Sequence, residues 1–203
     1  MRTAKGEPSF PILGQEPSER ADAARNRERV IAAAERLFEE RGFRDVSMDD
    51  VAETAGVGKG TVYRRFGDRA GLALALLGRA EALFQQRILT GPPPLGPGAP
   101  PEERLVVFLR ALAGLVHRYL DLHVMAESGD PVTRFGSAIY AFYREHVRLL
   151  IAEIRPELDA ACLADALLAP LDAGLMRHAA DRDVSLRRMK DALERVARGA
   201  LAV

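Results

Sequence analysis

Lys59, Thr61, Tyr63, Arg64, Arg65 and Arg69 set cations and hydroxyls close together in the chain, and their spacing decides what those groups do. Placed on a helix of 3.6 residues per turn, Val62 and Phe66 share the inward face. Gly60 and Arg64 then point nearly opposite, Thr61 and Tyr63 take the flanks, and Lys59 and Arg65 lie near the edges. The outward face lacks bulk at its N-terminal end and carries donors elsewhere. Cations match phosphates, hydroxyl and guanidinium groups reach phosphates or base edges, and a glycine lets the backbone come close. These are the properties of a helix presented to a DNA major groove.

Such a helix needs a mount. In VSMDDVAETAGVGKGTVYRRF, residues 46–66, Ser47 is a hydroxyl cap and Asp50, three residues on, completes a variant capping box. Val51, Ala52 and Ala55 give this first helix a small apolar face. Ala55-Gly56-Val57 supplies the turn, with Gly56 free to take the left-handed conformation that ends one helix and lets another start at once. The second helix runs from about Gly58 to Phe66. The layout is a helix-turn-helix. Gly56, Gly58 and Gly60 around Lys59 do not make a phosphate loop, because Gly60 rather than Ser or Thr follows the lysine and a helix rather than a strand precedes it.

With the preceding helix, 22–41, ending in Glu40-Arg41-Gly42-Phe43, the stretch VSMDDVAETAGVGKGTVYRRFGDRAGL from Val46 to Leu72 resembles the DNA-binding domain of TetR-type transcriptional regulators. The turn, Gly60-Thr61, Tyr63 and Phe66 fall at that family's spacing. Two departures stand out: Gly58 sits where a capping Ser is common, and Asp68-Arg69-Ala70-Gly71 replaces a more acidic start to the next helix. The candidate DNA-contact set is Ser47, Gly58, Lys59, Gly60, Thr61, Tyr63, Arg64, Arg65 and Arg69. The resemblance also implies a small-molecule cavity among the helices of residues 68–180 and a homodimer.

The whole chain is electrically balanced, with 29 basic and 29 acidic residues. Affinity for nucleic acid must therefore come from a local cluster, not from bulk charge. A single cysteine, Cys162, rules out an internal disulfide and fits a reducing cytoplasm. No apolar run approaches the ~20 residues that span a bilayer, and the N-terminus lacks the apolar segment of a secretory signal. Residues 1–21 read as a flexible arm, either a solvated tail or a segment laying Arg2, Lys5 or Arg20 along DNA.

The expected fold is all-α with about nine helices: the arm, a helix-turn-helix domain over 22–67, and a regulatory and dimerisation domain over 68–203. Asp68 caps a fourth helix to about Leu89 that is apolar on two sides, Leu72, Leu76 and Leu83 against Leu77, Phe84 and Ile88. Residues 90–101 are too proline-rich for helix. Leu105, Phe108, Leu112, Leu115 and Tyr119 form a stripe, Asp121 to Glu127 a short helix, and Asp130-Pro131 opens a helix carrying Val132, Phe135, Ile139, Phe142, Tyr143, His146 and Leu150. Pro156 opens one further helix to about Ala180, bent at Pro170, and Ser185 caps the last.

The aromatic positions are core at face value; the resemblance makes Phe108, Leu112, Tyr119, Phe135, Ile139, Phe142, Tyr143 and His146 candidates for lining a ligand pocket. His146 is either a core histidine bonded to a neighbour or a pocket donor. Leu163, Leu167, Leu171 and Leu175 with Leu186, Met189, Leu193 and Ala197 form two stripes that suit either the monomer core or an intermolecular four-helix bundle. Doubling of half-sites favours the bundle. No nucleophile, base and orienter set supports an enzyme, and no cofactor or metal ligand set is evident. The expected function is a dimeric repressor that leaves a palindromic operator in double-stranded DNA when a small molecule binds. The alternative is a constitutive dimeric DNA-binding or nucleoid-associated protein without a ligand.

Overall fold

The computed structural model describes residues 16–127 and 137–202, which form ten α-helices and two 3-10 turns with no strand among them. The helices are α1 (Glu16–Arg41), α2 (Met48–Ala55), α3 (Lys59–Phe66), α4 (Arg69–Thr90), α5 (Pro101–Arg118), α6 (Leu120–Glu127), α7 (Ala138–Ile154), α8 (Ala160–Leu168), α9 (Ala173–Asp181) and α10 (Leu186–Leu201). They divide into two compact units, one ending at Leu72 and the other starting at Ala73. No described helix is long and apolar enough to cross a membrane.

The first unit buries Val30, Ala34 and Leu37 of α1, Val51, Ala52 and Ala55 of α2, Val62 of α3 and Leu72 of α4 in one core. Sequence periodicity located these helices because each presents one apolar face. The start of α1 differs from expectation: helix begins at Glu16, inside the segment read as an arm, while residues 1–15 lie outside the described ones. In α4, Leu72 belongs to the first core, and Phe84 and Ile88 belong to the second.

The second unit is built around Phe108, Leu105 and Leu109 of α5, Val147 and Ile151 of α7, Ala164 and Leu167 of α8, Met176 of α9 and Ala197 of α10, all nearly inaccessible. The helix that carries Ile139, Phe142, Tyr143, His146 and Leu150 begins at Ala138, where the Ser137 hydroxyl accepts from the Tyr140 amide; the opening expected at Asp130-Pro131, with Val132 and Phe135, lies outside the described residues. The single bent helix expected over 156–180 is three elements. Pro170 falls in a 3-10 turn, Ala169–Leu171, and Asp172 restarts the helix by accepting from the Leu175 amide. A proline followed two residues later by a strong cap ends a helix and starts another, where the proline alone only bends it. The last helix starts as expected, Ser185 accepting from the Arg188 amide.

Candidate nucleic-acid interface

Local sequence fixes α2 before tertiary contacts act. The Ser47 hydroxyl accepts from the Asp50 amide at 3.1 Å, and an Asp50 carboxylate oxygen accepts from the Ser47 amide at 2.8 Å and its hydroxyl at 2.6 Å. These bonds, the side-chain one foremost, hold the Asp50 carboxyl below the usual carboxylate range. They also commit the donor of Ser47, a candidate DNA contact, to Asp50. Gly56 ends α2 with φ 63° and ψ 41°, and its amide reaches back to Ala52 and Glu53.

The turn is also held from outside. Arg29 of α1 donates from one guanidinium nitrogen to the carbonyls of Ala55 at 2.6 Å and Gly56 at 3.3 Å. It thereby satisfies carbonyls orphaned at the end of α2. A Cβ on Gly56 would lie 2.8 Å from that nitrogen, so the position needs glycine both for its positive φ and for room. Sequence inspection missed Arg29 because it sits in the charged run of α1 and nothing local links it to a turn 26 residues away.

Helix α3 starts at Lys59 with Gly58 as its N-cap and no side chain bonded to the cap. Val62 is fully buried and Phe66 packs against the same core, which fixes the rotation of the helix. Gly58, Lys59, Gly60, Tyr63, Arg64 and Arg65 are exposed and Thr61 is half-buried. A Cβ built on Gly60 meets nothing within 4 Å, so the backbone is open there. Thr61, Arg64 and Arg65 line a concavity of about 560 Å³ with Asn26 and Arg27 of α1, which adds α1 to a donor-rich surface that the α3 wheel alone did not include.

Two candidate contacts have partners within the protein. Lys59 is paired with Asp49 of α2 at 2.5 Å, a hydrogen bond that lifts its ammonium pKa above the ordinary lysine value. Arg69 donates to the Arg44 carbonyl at 2.9 Å and stacks on the Phe43 ring at 4.7 Å. It pins the 3-10 turn Phe43–Asp45 to the start of α4, which spends part of its fork on backbone, not on phosphate. Asp68 caps α4 by accepting from the Gly71 amide at 2.8 Å. A Cβ on Gly71 would lie 2.0 Å from the Phe66 carbonyl oxygen, so glycine there lets α4 leave directly from the end of α3.

In the second unit the candidate pocket residues partly converge. Phe108 touches Tyr143 and His146 edge-on, at centroid distances of 5.8 and 4.9 Å, and Phe142 stacks on His146 at 6.5 Å. Phe84, expected only as core, joins them at 5.9 Å from Phe108 and 5.8 Å from Tyr143. Leu112 and Ile139 belong to the same apolar core. Tyr119 is instead the C-cap residue of α5, with Arg118 over its ring, and Phe135 lies outside the described residues. The Tyr143 hydroxyl and the His146 Nε2 are buried without a hydrogen-bond partner. Burial, with Arg104 second, pushes the His146 imidazole down to about 4, so it is neutral at pH 7.

The two leucine stripes need correction. Leu167, Leu171, Leu193 and Ala197 are at most 3% exposed in the single chain, so they are monomer core and not a free face. Their apolar stripes point at α5 and α7, which bury them first. Leu163, Leu186 and Met189 are partly buried against that core, while Leu175 stays 49% exposed and Val196, beside the stripe, 57%. An open apolar groove of about 390 Å³ runs between α9 and α10, lined by Leu175, Val184, Met189, Ala192 and Val196 among others.

Comparison with known proteins agrees with this geometry. Residues 30–76 match the family model of bacterial regulatory proteins, tetR family. An HTH-type transcriptional regulator of Staphylococcus aureus (strain USA300) is 38% identical over 65 residues, which are 32% of this chain and 35% of that one. The match thus spans about a third of the curated relative. Among solved structures, a TetR-family regulator from Pectobacterium atrosepticum is 25% identical with a TM-score of 0.67, over 91% of this chain and 98% of that one. A TetR-family protein from Rhodococcus sp. is 20% identical with a TM-score of 0.62 over 88% and 99%. A protein from Saccharomonospora viridis, solved in complex with choline, is 22% identical with a TM-score of 0.62 over 82% and 92%. Residues 30–76 thus carry the helix-turn-helix domain of the tetR family of bacterial regulatory proteins, and the all-helical fold that follows is similar to that of the solved tetR-family structures.

Proposed function

We propose that this protein is a transcriptional regulator that binds a palindromic operator as a homodimer and releases it when a small molecule enters the second unit. The observation that carries the reading is α3: its inward side is locked by Val62, its outward side is open at Gly60, and Thr61, Arg64 and Arg65 line a concavity beside α1. Arg64 and Thr61 read base edges or the adjoining backbone, and Tyr63 and Lys59 hold phosphates. Arg69 acts by positioning. Lys59 must exchange Asp49 for a phosphate on binding, a near-balanced swap that favours the site of highest phosphate density.

Dimerisation supports the reading because one helix contacts few base pairs and a two-fold pair doubles them. The second copy is assigned to the apolar groove flanked by Leu175 and Val196. Repression follows from steric exclusion at an operator, and release requires that the effector bind the DNA-incompetent arrangement more tightly than the competent one.

The test is selection of bound fragments from the source genome with purified protein, followed by mobility-shift titration against the recovered sequence. A two-fold symmetric site, bound with a salt slope that falls when Lys59→Ala is introduced, is expected. Leu175→Glu combined with Val196→Glu is expected to give a folded monomer with little operator affinity. Recovery of fragments without common sequence would favour the constitutive nucleoid-type alternative, and a double variant that stays dimeric would move the interface elsewhere.

A further inference from the structure

Three helices of the second unit each carry a ring and a polar group one helical turn apart. On α4 they are Phe84 and Glu81, on α5 Phe108 and Arg104, and on α7 Tyr143 and His146. The rings meet: Phe108 lies 5.9 Å from Phe84, 5.8 Å from Tyr143 and 4.9 Å from His146. Glu81 lies close enough to act on Tyr143, and Arg104 close enough to act on His146. The polar atoms do not find each other. Arg104 Nε, Tyr143 Oη and His146 Nε2 are all buried with no hydrogen-bond partner, although Tyr143 is only 7% exposed. Leaving one buried donor unpaired is costly, and native structures leave few. Three on facing helices, ringed by aromatic carbon, mark a place that something else completes.

Donor chemistry narrows what that something is. Arg104 Nε only donates, the Tyr143 hydroxyl donates or accepts, and His146 Nε2 donates in one of its neutral tautomers. A common partner must therefore accept from Arg104, and one that accepts from all three satisfies them together. An ammonium offers no acceptor and would face the Arg104 guanidinium; a single amide or ketone oxygen has two lone pairs for three donors. A carboxylate has two oxygens with about four acceptor directions and a charge opposite to that of Arg104. Glu81, the remaining ionisable group facing this cluster, acts on Tyr143 through its charge and is poised to stay protonated beside a second carboxylate.

We propose that the effector is a small carboxylic acid with an apolar or aromatic body, its carboxylate accepting from Arg104, Tyr143 and His146 while the body lies against Phe84 and Phe108. This rests on the reading of the second unit as the effector domain. The distinction between acid and base ligands is set by Arg104, and the aromatic rings set only the shape of the body.

The experiment titrates the full chain, without DNA, by calorimetry and thermal shift. The probes are linear carboxylates from butanoate to dodecanoate and phenylalkanoates, each with its primary amide and its trimethylammonium counterpart of equal length. At least one carboxylate is expected to bind about tenfold or more tightly than its amide, with no binding by the ammonium series. Tyr143→Phe and Arg104→Met are each expected to weaken that carboxylate about tenfold or more, with unchanged circular dichroism. Tyr143→Phe, which removes an orphaned hydroxyl, should also melt no lower than wild type without ligand. Tighter binding by an ammonium, silence of the whole carboxylate series, or carboxylate affinity unmoved by both variants would overturn the proposal. A carboxylate that binds in this way but leaves operator affinity unchanged would sustain this site and defeat the release reading; operator release by a molecule without an acid group would do the reverse.

Discussion

Gly60→Ala separates folding from binding at a single methyl group. In the protein alone the change should stabilise: Gly60 lies inside α3, its φ is not in the left-handed range, and a Cβ there meets nothing within 4 Å. Replacing glycine by alanine in a helix interior is worth about 0.5–1 kcal/mol, which for a chain of this size raises Tm by about 1–4 °C. In the proposed DNA complex the same methyl would occupy the space through which the α3 backbone approaches the groove. Forcing a methyl into a close-packed contact costs about 1–3 kcal/mol, or roughly five- to 150-fold in affinity per half-site. Calorimetric melting and mobility-shift titration of one preparation give both numbers. A variant that gains stability and binds operator as tightly as wild type would refute the close-approach assignment of Gly60, and one that loses both would show that α3 is not the free-standing surface described here.

Other perturbations follow from the same geometry. Gly71→Ala, whose methyl would strike the Phe66 carbonyl oxygen at 2.0 Å, should destabilise by at least about 1–3 kcal/mol, whereas Gly78→Ala in the open part of α4 should raise Tm in urea or thermal melts. Asp49→Asn frees Lys59 from its 2.5 Å partner and should strengthen DNA binding severalfold at low salt, with a steeper salt slope; an unchanged slope removes Lys59 from the phosphate contacts. Burial lifts the Glu81 carboxyl to about 7, so its contribution is full below the ordinary glutamate pKa and is lost as pH rises towards 7. Glu81→Gln should therefore flatten stability between about pH 4.5 and 7 and gain of order 1 kcal/mol at pH 8, the figure being discounted for the part that still meets water.

Where the chain solved a problem locally, its sequence could be read. Ser47 with Asp50, Gly56, and the caps Asp68 and Ser185 each act within three or four residues, and each helix start or end fell where those residues placed it. Where two local rules compete, one residue pair decides: Pro170 with Asp172 split a helix that Pro170 alone would have bent. The leucine stripes were found but not their partners, since burial of Leu193 by the same chain or by another leaves the same periodicity. The candidate DNA surface was visible on α3 and at the ends of its neighbours, Ser47 and Arg69, but not on α1. Asp49 against Lys59 and Arg27 beside Arg64 and Arg65 arise from helices packed in space, and no spacing rule connects them.

The Arg29 clamp bears on how this domain holds together. Helices α2 and α3 with their glycine turn lie within Met48–Phe66, a short and local stretch of chain. Yet the last carbonyls of the turn are held by a side chain 26 and 27 residues upstream. The turn therefore makes these two hydrogen bonds only while α1 is docked, so the motif that looks most self-contained in the primary structure depends on a distant helix. Loss of the clamp should show itself in the unfolding limb of a chevron more than in the folding limb, so the lifetime of the turn that mounts α3 is set by an arginine of another helix.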